Sequence, residues 1–418
     1  MRLNLTEATS RFVRIATQDD SVFDSPKQML SDKPGGPGDE CSHTSFFCLI
    51  LHAFATVESS DKAGIGERIR TVLKTFLWVL AVALTGLLAL VLWMIFPGTP
   101  GSAKSLKFEG FVRLPKDSRA GLLTVMDYLT LNGKDLFVTN VSTGTVYKIP
   151  LPAEELPTAA DVSMFELEPA AHGVVIDPVS GMAYVTRSEA NTVDIFDPSA
   201  MRLITRIPVA EDPDGIFYIA ASRLIYVASG DAKTATLIDP ATQKVSATIP
   251  LGGKAEFGVF DSQTNLFYQN LEDTSSLAAV DLSKHAVTTR WPLQDCVHPT
   301  GMALDEQSRQ LFIGCSGNSR LAVFDLEKHS VVTTVPVGGG PDSVAYDAQL
   351  HRIYVTGRSG VLCVVDRDSN GAFAVVDKIS LHYGAHTLAV DPTSHRLYVA
   401  YASLLITPRI AVFSPLGP

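Results

Sequence analysis

The chain has 418 residues, 34 Lys plus Arg against 44 Asp plus Glu, and a formal net charge of −10. With a pI near 5.5, it lacks the clustered basic surface that nucleic acid or an anionic bilayer requires, so no nucleic-acid partner is expected. The length exceeds one ordinary compact domain but not a repeat array.

Residues 1–67 carry no repeat and little periodicity. Ser31–Glu40 is polar and rich in Pro and Gly, a composition that cannot bury a core. Phe46–Ala55 is apolar but too short to span a bilayer. This segment reads as a disordered cytoplasmic tail, or as a start codon assigned too early. Residues 68–97 read as a transmembrane signal anchor. Within them Thr75–Phe96 has 22 residues and no charge, with Trp78 and Trp93 near its ends. At about 1.5 Å per residue it reaches roughly 33 Å, enough for a ~30 Å hydrocarbon core. Arg68, Arg70 and Lys74 lie on its N-terminal side, which places that side in the cytoplasm and the rest of the chain outside. The alternative is a signal peptide cleaved after Gly101–Ala103 and a secreted product, although its apolar core would be long for that role. Residues 98–104 form a linker.

From residue 105 onward the chain repeats. Asp127, His172, Asp214, Glu256, Thr300, Asp342 and His386 are spaced 45, 42, 42, 44, 42 and 44 residues apart. In six repeats an aromatic follows twelve residues later: Tyr184, Tyr226, Tyr268, Phe312, Tyr354 and Tyr398. In the first, Phe137 follows ten later, across a tight Asn132–Gly133 turn. A period in the forties marks one supersecondary unit repeated. Each unit reads as four short strands with turns between them. In the second repeat they are His172–Asp177, Met182–Thr186, Thr192–Phe196 and Leu203–Pro208, with Asp177-Pro178 and Asp197-Pro198 opening the turns. The fold class is therefore all-β, a seven-bladed propeller over residues 105–418. The seventh repeat lacks its fourth strand, whereas Phe108–Pro115, ahead of the first, resembles an orphan fourth strand. That segment is expected to complete the last blade, closing the ring and covering a sheet edge. A propeller closed in this way needs no second copy, so a monomer is expected.

The segments Tyr184–Arg187, Phe137–Asn140 and Tyr354–Gly357 resemble the YVTN-repeat β-propeller family, close to its YncE-like branch. More specific phrases are Asp127–Leu129, Gly253–Phe257, Asn270–Asp273, Cys296–Gly301 with Leu311–Cys315, and Gly384–Thr387. The resemblance implies a seven-bladed, usually exported propeller and no single reaction. The fourth repeat departs from the signature with Tyr268-Gln269-Asn270, and His386 stands where similar sequences often carry Arg.

Cys296 precedes the first strand of the fifth blade and Cys315 ends its second, two points at the same end of an up-and-down blade. A disulfide between them is expected in an exported domain. Cys363, in the strand-like Val361–Val365, reads as a buried free thiol. Cys41 and Cys48 fall in the tail. No CxxC pair supports zinc.

The seven-fold position starts each blade's innermost strand, so Asp127, His172, Asp214, Glu256, Thr300, Asp342 and His386 are expected around one mouth of the central channel. Converging carboxylates and imidazoles suit a cation or cationic ligand, with Asp127, Glu256 and Asp342 as candidate ligands for a divalent cation, the one cofactor considered. A solvated polar funnel explains the same residues without a ligand. Asn270, Glu272 and Asp273 either extend this site or cap their own turn. No Gly-x-Ser-x-Gly elbow or phosphate loop is present. The expected protein is a membrane-anchored, extracytoplasmic binding or interaction module with an unknown protein or small-molecule partner. The alternatives are a lactonase-like metal-dependent hydrolase using the same mouth, or an envelope scaffold or adhesion protein.

Overall fold

The computed structural model describes residues 65–95, 100–101, 103–151, 155–401 and 408–416. The tail expected over residues 1–67, with Cys41 and Cys48, falls almost entirely outside them. Among the described residues one helix is present, from Ile65 to Ile95. Its Leu and Ala content favours helix, and it holds two glycines and no proline. Within it Arg70–Leu92, with a mean hydropathy of 2.5, is long and apolar enough to cross a membrane or to serve as a signal. Phe76, Leu77 and Trp78 are exposed along it.

The remaining described chain forms seven four-stranded antiparallel sheets. The innermost strand of each touches those of its neighbours, and the seventh returns to the first. This is a closed seven-bladed propeller. Its hydrophobic core is divided: each of seven buried clusters lies between two adjacent blades. Blades stack on each other through both faces of their central strands, which is why those strands read as continuous apolar runs.

The recurring aromatic supplies much of this packing. Phe137, Tyr184, Tyr226, Tyr268, Phe312, Tyr354 and Tyr398 are all at least 96 % buried. Tyr226 of blade 3 stacks on Phe267 of blade 4, with ring centroids 3.9 Å apart. Its hydroxyl donates to Gln269 Oε1 at 3.1 Å, satisfying a polar group that burial would otherwise penalise.

The seventh blade closes as the missing strand implied. From outside to inside its order is Leu106–Arg113, Arg409–Pro415, Leu397–Tyr401 and Leu388–Val390. The N-terminal strand pairs from Leu106↔Pro415 to Arg113↔Arg409, with a bulge at Gly110. It starts two residues earlier than the Phe108 read from the sequence. Inner strands run away from the face where the seven-fold position lies, so the chain enters the propeller at the opposite face. There Leu416 N donates to Ser105 O at 2.8 Å.

Candidate functional site

Six of the seven recurring residues are the second residue of an inner strand: Met126–Asn132, Ala171–Ile176, Pro213–Ile219, Ala255–Asp261, Pro299–Asp305 and Pro341–Asp347. His386 lies two residues before Leu388–Val390. In the first five blades the pairing slips at this point. Met126 pairs with Asn140 but Leu129 with Val138, so Asp127 and Tyr128 together oppose one residue. The same slip occurs at His172, Asp214, Glu256 and Thr300, and a one-residue version at Asp342. A bulge re-aims side chains and sharpens the local bend. Here it turns the recurring residue toward the channel instead of leaving it in the sheet's alternation.

In blades 2, 4 and 6 a polar side chain on the second strand beside the bulge ties it to the next blade. Thr186 Oγ1 accepts from Gly173 N at 2.8 Å and donates to Asp214 O at 2.6 Å. Thr356 Oγ1 donates to His386 O at 2.6 Å. The fourth blade departs from the Tyr-Val-Thr pattern but does the same work: Asn270 Nδ2 reaches Thr300 O at 2.7 Å and Gln269 Nε2 reaches Glu256 O at 2.6 Å. Blades approach closely here. A Cβ on Gly173 would sit 2.8 Å from Asp214 O, and one on Gly301 2.6 Å from Asp342 O. Because Val is nearly isosteric with Thr but lacks its hydroxyl, Thr186→Val is expected to destabilise the protein by about 2 kcal/mol, since a buried carbonyl and amide lose their partner. An equilibrium denaturant titration measures it, and a midpoint equal to the parent's would dismiss the latch.

The mouth is divided into three groups. In the first, His172 Nδ1 lies 2.7 Å from Asp127 Oδ2 and 3.5 Å from Asp214 Oδ1, while Nε2 lies 3.0 Å from Ser188 Oγ. Burial works against the imidazolium, but the charges of Asp214 and Asp127 outweigh it and hold the His172 pKa up at about 9. Both ring nitrogens then donate. Burial, reinforced by Asp127 and other nearby acids, pushes the Asp214 carboxyl up to about 7 even though His172 opposes the rise. One oxygen of Asp214 is buried without a hydrogen-bond partner. One donor atom from each of Asp127, His172 and Asp214 lies within 4.8 Å of the others, and among the described residues these three form the one such cluster.

In the second group Lys254 Nζ bonds Glu272 at 2.7 Å and approaches Glu256 at 3.4 Å. Burial and the charges of Asp214 and Glu272 raise Glu256 well above the ordinary carboxylate range. Glu272, which has the closer contact to Lys254, is held low despite its burial. In the third, Asp342 faces Arg358 and His386 Nε2, each at 3.6 Å. Glu256 and Asp342 thus have cationic neighbours of their own and stand apart from Asp127. Thr300 is 5 % exposed and its hydroxyl donates to Pro341 O at 2.8 Å, so it works between blades. Of the turn residues, Glu272 joins the site. Asp273 ties Lys254 N and Lys233 to its own loop, and Asn270 is buried at the latch.

The residue after the seven-fold position carries a feature that the repeat alone did not reveal. Tyr128 of blade 1 and Phe257 of blade 4 come from blades that are not neighbours. Their rings nevertheless stack, 5.8 Å apart and 14° from parallel, so they bridge the channel. Phe217 of blade 3 meets Phe257 edge-on at 5.0 Å. Burial, then the charges of Asp214, Asp127, Glu256 and Asp342, raises the Tyr128 phenol well above its usual pKa. The mouth is thus an acidic cup with an aromatic base. The available signal was a break in a small-residue pattern, since four of the other blades place Gly173, Gly215, Gly301 and Ser343 at this point.

Cys296 and Cys315 form a disulfide. It pins the loop that leads into Pro299–Asp305, and His298 beside it adopts φ 51°. Cys363 is a buried free thiol with Sγ 3.0 Å from Val337 O.

No family model matches the chain, and no curated protein sequence matches it. Among solved structures it is similar to Kuenenia stuttgartiensis hydrazine synthase, with a TM-score of 0.59 and 14 % identity over 66 % of this chain and 93 % of that one. At that identity the likeness is one of propeller fold alone.

Proposed function

We propose that this protein is a membrane-anchored, extracytoplasmic propeller that binds a cationic ligand in its channel mouth. The observation that carries the reading is the Asp127–His172–Asp214 cluster beside the Tyr128–Phe257 base. Carboxylates attract the charge, and an aromatic face favours a cation that has shed water. The helix Ile65–Ile95, with Arg68, Arg70 and Lys74 on its N-terminal side, supports anchoring with the propeller outside the cytoplasm. The disulfide fits an oxidising compartment. The Tyr184–Arg187 and related segments support placing the chain with YVTN-repeat propellers.

Calorimetric titration of the full-length protein in detergent with Ca²⁺, Mn²⁺, Zn²⁺ and tetramethylammonium tests the reading. Cations compete with the proton on Asp214, whose pKa is about 7. Asp214 is mostly neutral at pH 6 and mostly ionised at pH 8, so affinity is expected to rise roughly tenfold across that interval. A metal that takes His172 as ligand gains further toward pH 9, where the imidazolium loses its proton. Asp214→Asn should remove the rise between pH 6 and 8 along with most of the binding. Absence of heat with all four cations at pH 8 would defeat the proposal.

A second reading, a metal-dependent hydrolase, draws on the same cluster. Asp127, His172 and Asp214 would hold the ion, which would polarise a substrate carbonyl. Lactone hydrolysis by Mn²⁺-treated protein, abolished in Asp127→Asn, separates the two.

A further inference from the structure

A cavity of about 250 Å³ opens between blades 5 and 6 at the end of the propeller opposite the mouth. Its walls are aromatic. Phe312, 1 % exposed, meets Tyr346 at 5.1 Å and Phe373 at 5.7 Å between ring centroids. Tyr346 is fixed in place: its hydroxyl donates to Asp305 Oδ2 at 3.0 Å, with His351 Nδ1 3.2 Å away. Asp305 is itself saturated, since its other oxygen accepts from the amides of Gln307 and Ser308.

Two side chains on this cavity have hydrogen-bond donors to spare. Gln310 is 9 % exposed and lines the cavity. Its Oε1 lies 3.4 Å from Ser308 Oγ, but Nε2 has no partner among the described residues. Nε2 is not itself sealed off from solvent, so it opens to the cavity and is free to donate to a ligand. At the rim, Arg367 lies over the Phe373 ring at 5.4 Å and spends Nε on Gly371 O at 3.3 Å. Its two terminal nitrogens have no partner among the described residues. The stacked, half-anchored guanidinium leaves a planar fork free, the geometry that takes a carboxylate in two parallel bonds.

We propose that this cavity is a binding site for a small single-ring aromatic carboxylate carrying a second acceptor opposite the carboxyl. The ring fills the slot between Phe312, Tyr346 and Phe373, the carboxylate meets Arg367, and the far oxygen accepts from Gln310 Nε2. The size is appropriate, because a cavity of about 150 Å³ holds benzene and the extra volume accommodates two substituents. Asp368 at the rim is the one feature favouring an amine. One of its oxygens is occupied by the amides of Asn370 and Ala372, so the guanidinium fork decides the sign.

Isothermal titration of the full-length protein in detergent with 4-hydroxybenzoate, benzoate and benzylamine tests this. The expected order is 4-hydroxybenzoate, then benzoate, then no binding of benzylamine. Arg367→Met, at an exposed position, should melt as the parent does and lose at least about tenfold in affinity for both acids. Gln310→Leu should bring 4-hydroxybenzoate down to benzoate's affinity. Binding of benzylamine in place of the acids, silence with all three, or undiminished affinity in Arg367→Met would each overturn the assignment.

Discussion

Replacing Val112 by Asp should lower stability by about 4 kcal/mol and the melting temperature by roughly 8 °C, because a carboxylate would be buried without a partner. Val112 is 1 % exposed in the closing strand and pairs with Ile410. It packs in the cluster that joins blade 7 to blade 1, with Leu114, Met126, Tyr398 and Val412. The charge would therefore weaken a strand and a blade interface together, at the one place where the ring is held by chain ends instead of a continuous loop. Arg113 next to it is exposed and lies opposite Arg409. Arg113→Glu should stay within about 0.5 kcal/mol of the parent, since exposed pairs contribute little. Thermal melts followed by circular dichroism compare the two. If Val112→Asp melts with the parent, the N-terminal strand is not what closes the propeller.

Removing the disulfide should have the next largest effect. Cys296 and Cys315 are 19 residues apart and both are at least 99 % buried. Cross-linking a loop of this size restrains the unfolded chain by about 3 kcal/mol in the entropy model. Cys296→Ala with Cys315→Ala should thus lower the melting temperature by roughly 6 °C. The loss is expected to fall on the mouth as well, since the bridge holds the segment entering Pro299–Asp305, and cation affinity should drop with it. A double variant within a degree of the parent would show that the loop is held by its hydrogen bonds alone.

The architecture was legible because a propeller repeats one packing problem. Every blade needs the same buried aromatic between neighbours, so Tyr184, Tyr226 and Tyr354 recur at one spacing. The closing strand was legible because the seventh repeat is a strand short. The disulfide was legible because up-and-down strands put Cys296 and Cys315 at one end. What the period could not convey is how residues meet across the ring. Tyr128 and Phe257 are 129 positions apart in sequence and three blades apart in space, yet their rings stack. Spacing predicts a circle of seven side chains. It does not predict that His172 joins Asp127 and Asp214 while Lys254 and Arg358 lie against Glu256 and Asp342. Lys254 and Arg358 sit on connecting loops whose residue types do not repeat from blade to blade. Thr300 shares the seven-fold position, but its short side chain folds back onto a backbone carbonyl. The cavity opposite the mouth was hidden for the same reason, as Phe312 comes from one blade and Arg367 and Phe373 from the next.

The pairing of Leu106 with Pro415 and of Arg113 with Arg409 also sets a timetable. The strand made first in the propeller finds its partner only when the last of about 300 later residues has been joined. At 5–20 residues per second that is roughly 15–60 s of waiting. Throughout it Leu106 and Val112 have no sheet to cover them, and Arg409–Pro415, once made, is an open edge until they arrive. Lys107, Glu109 and Arg113 alternate with the apolar residues of this strand, so a charge interrupts every register in which a stray neighbour would pair with it. The same alternation that reads as an ordinary outer strand in the finished ring keeps the unfinished one from joining another chain.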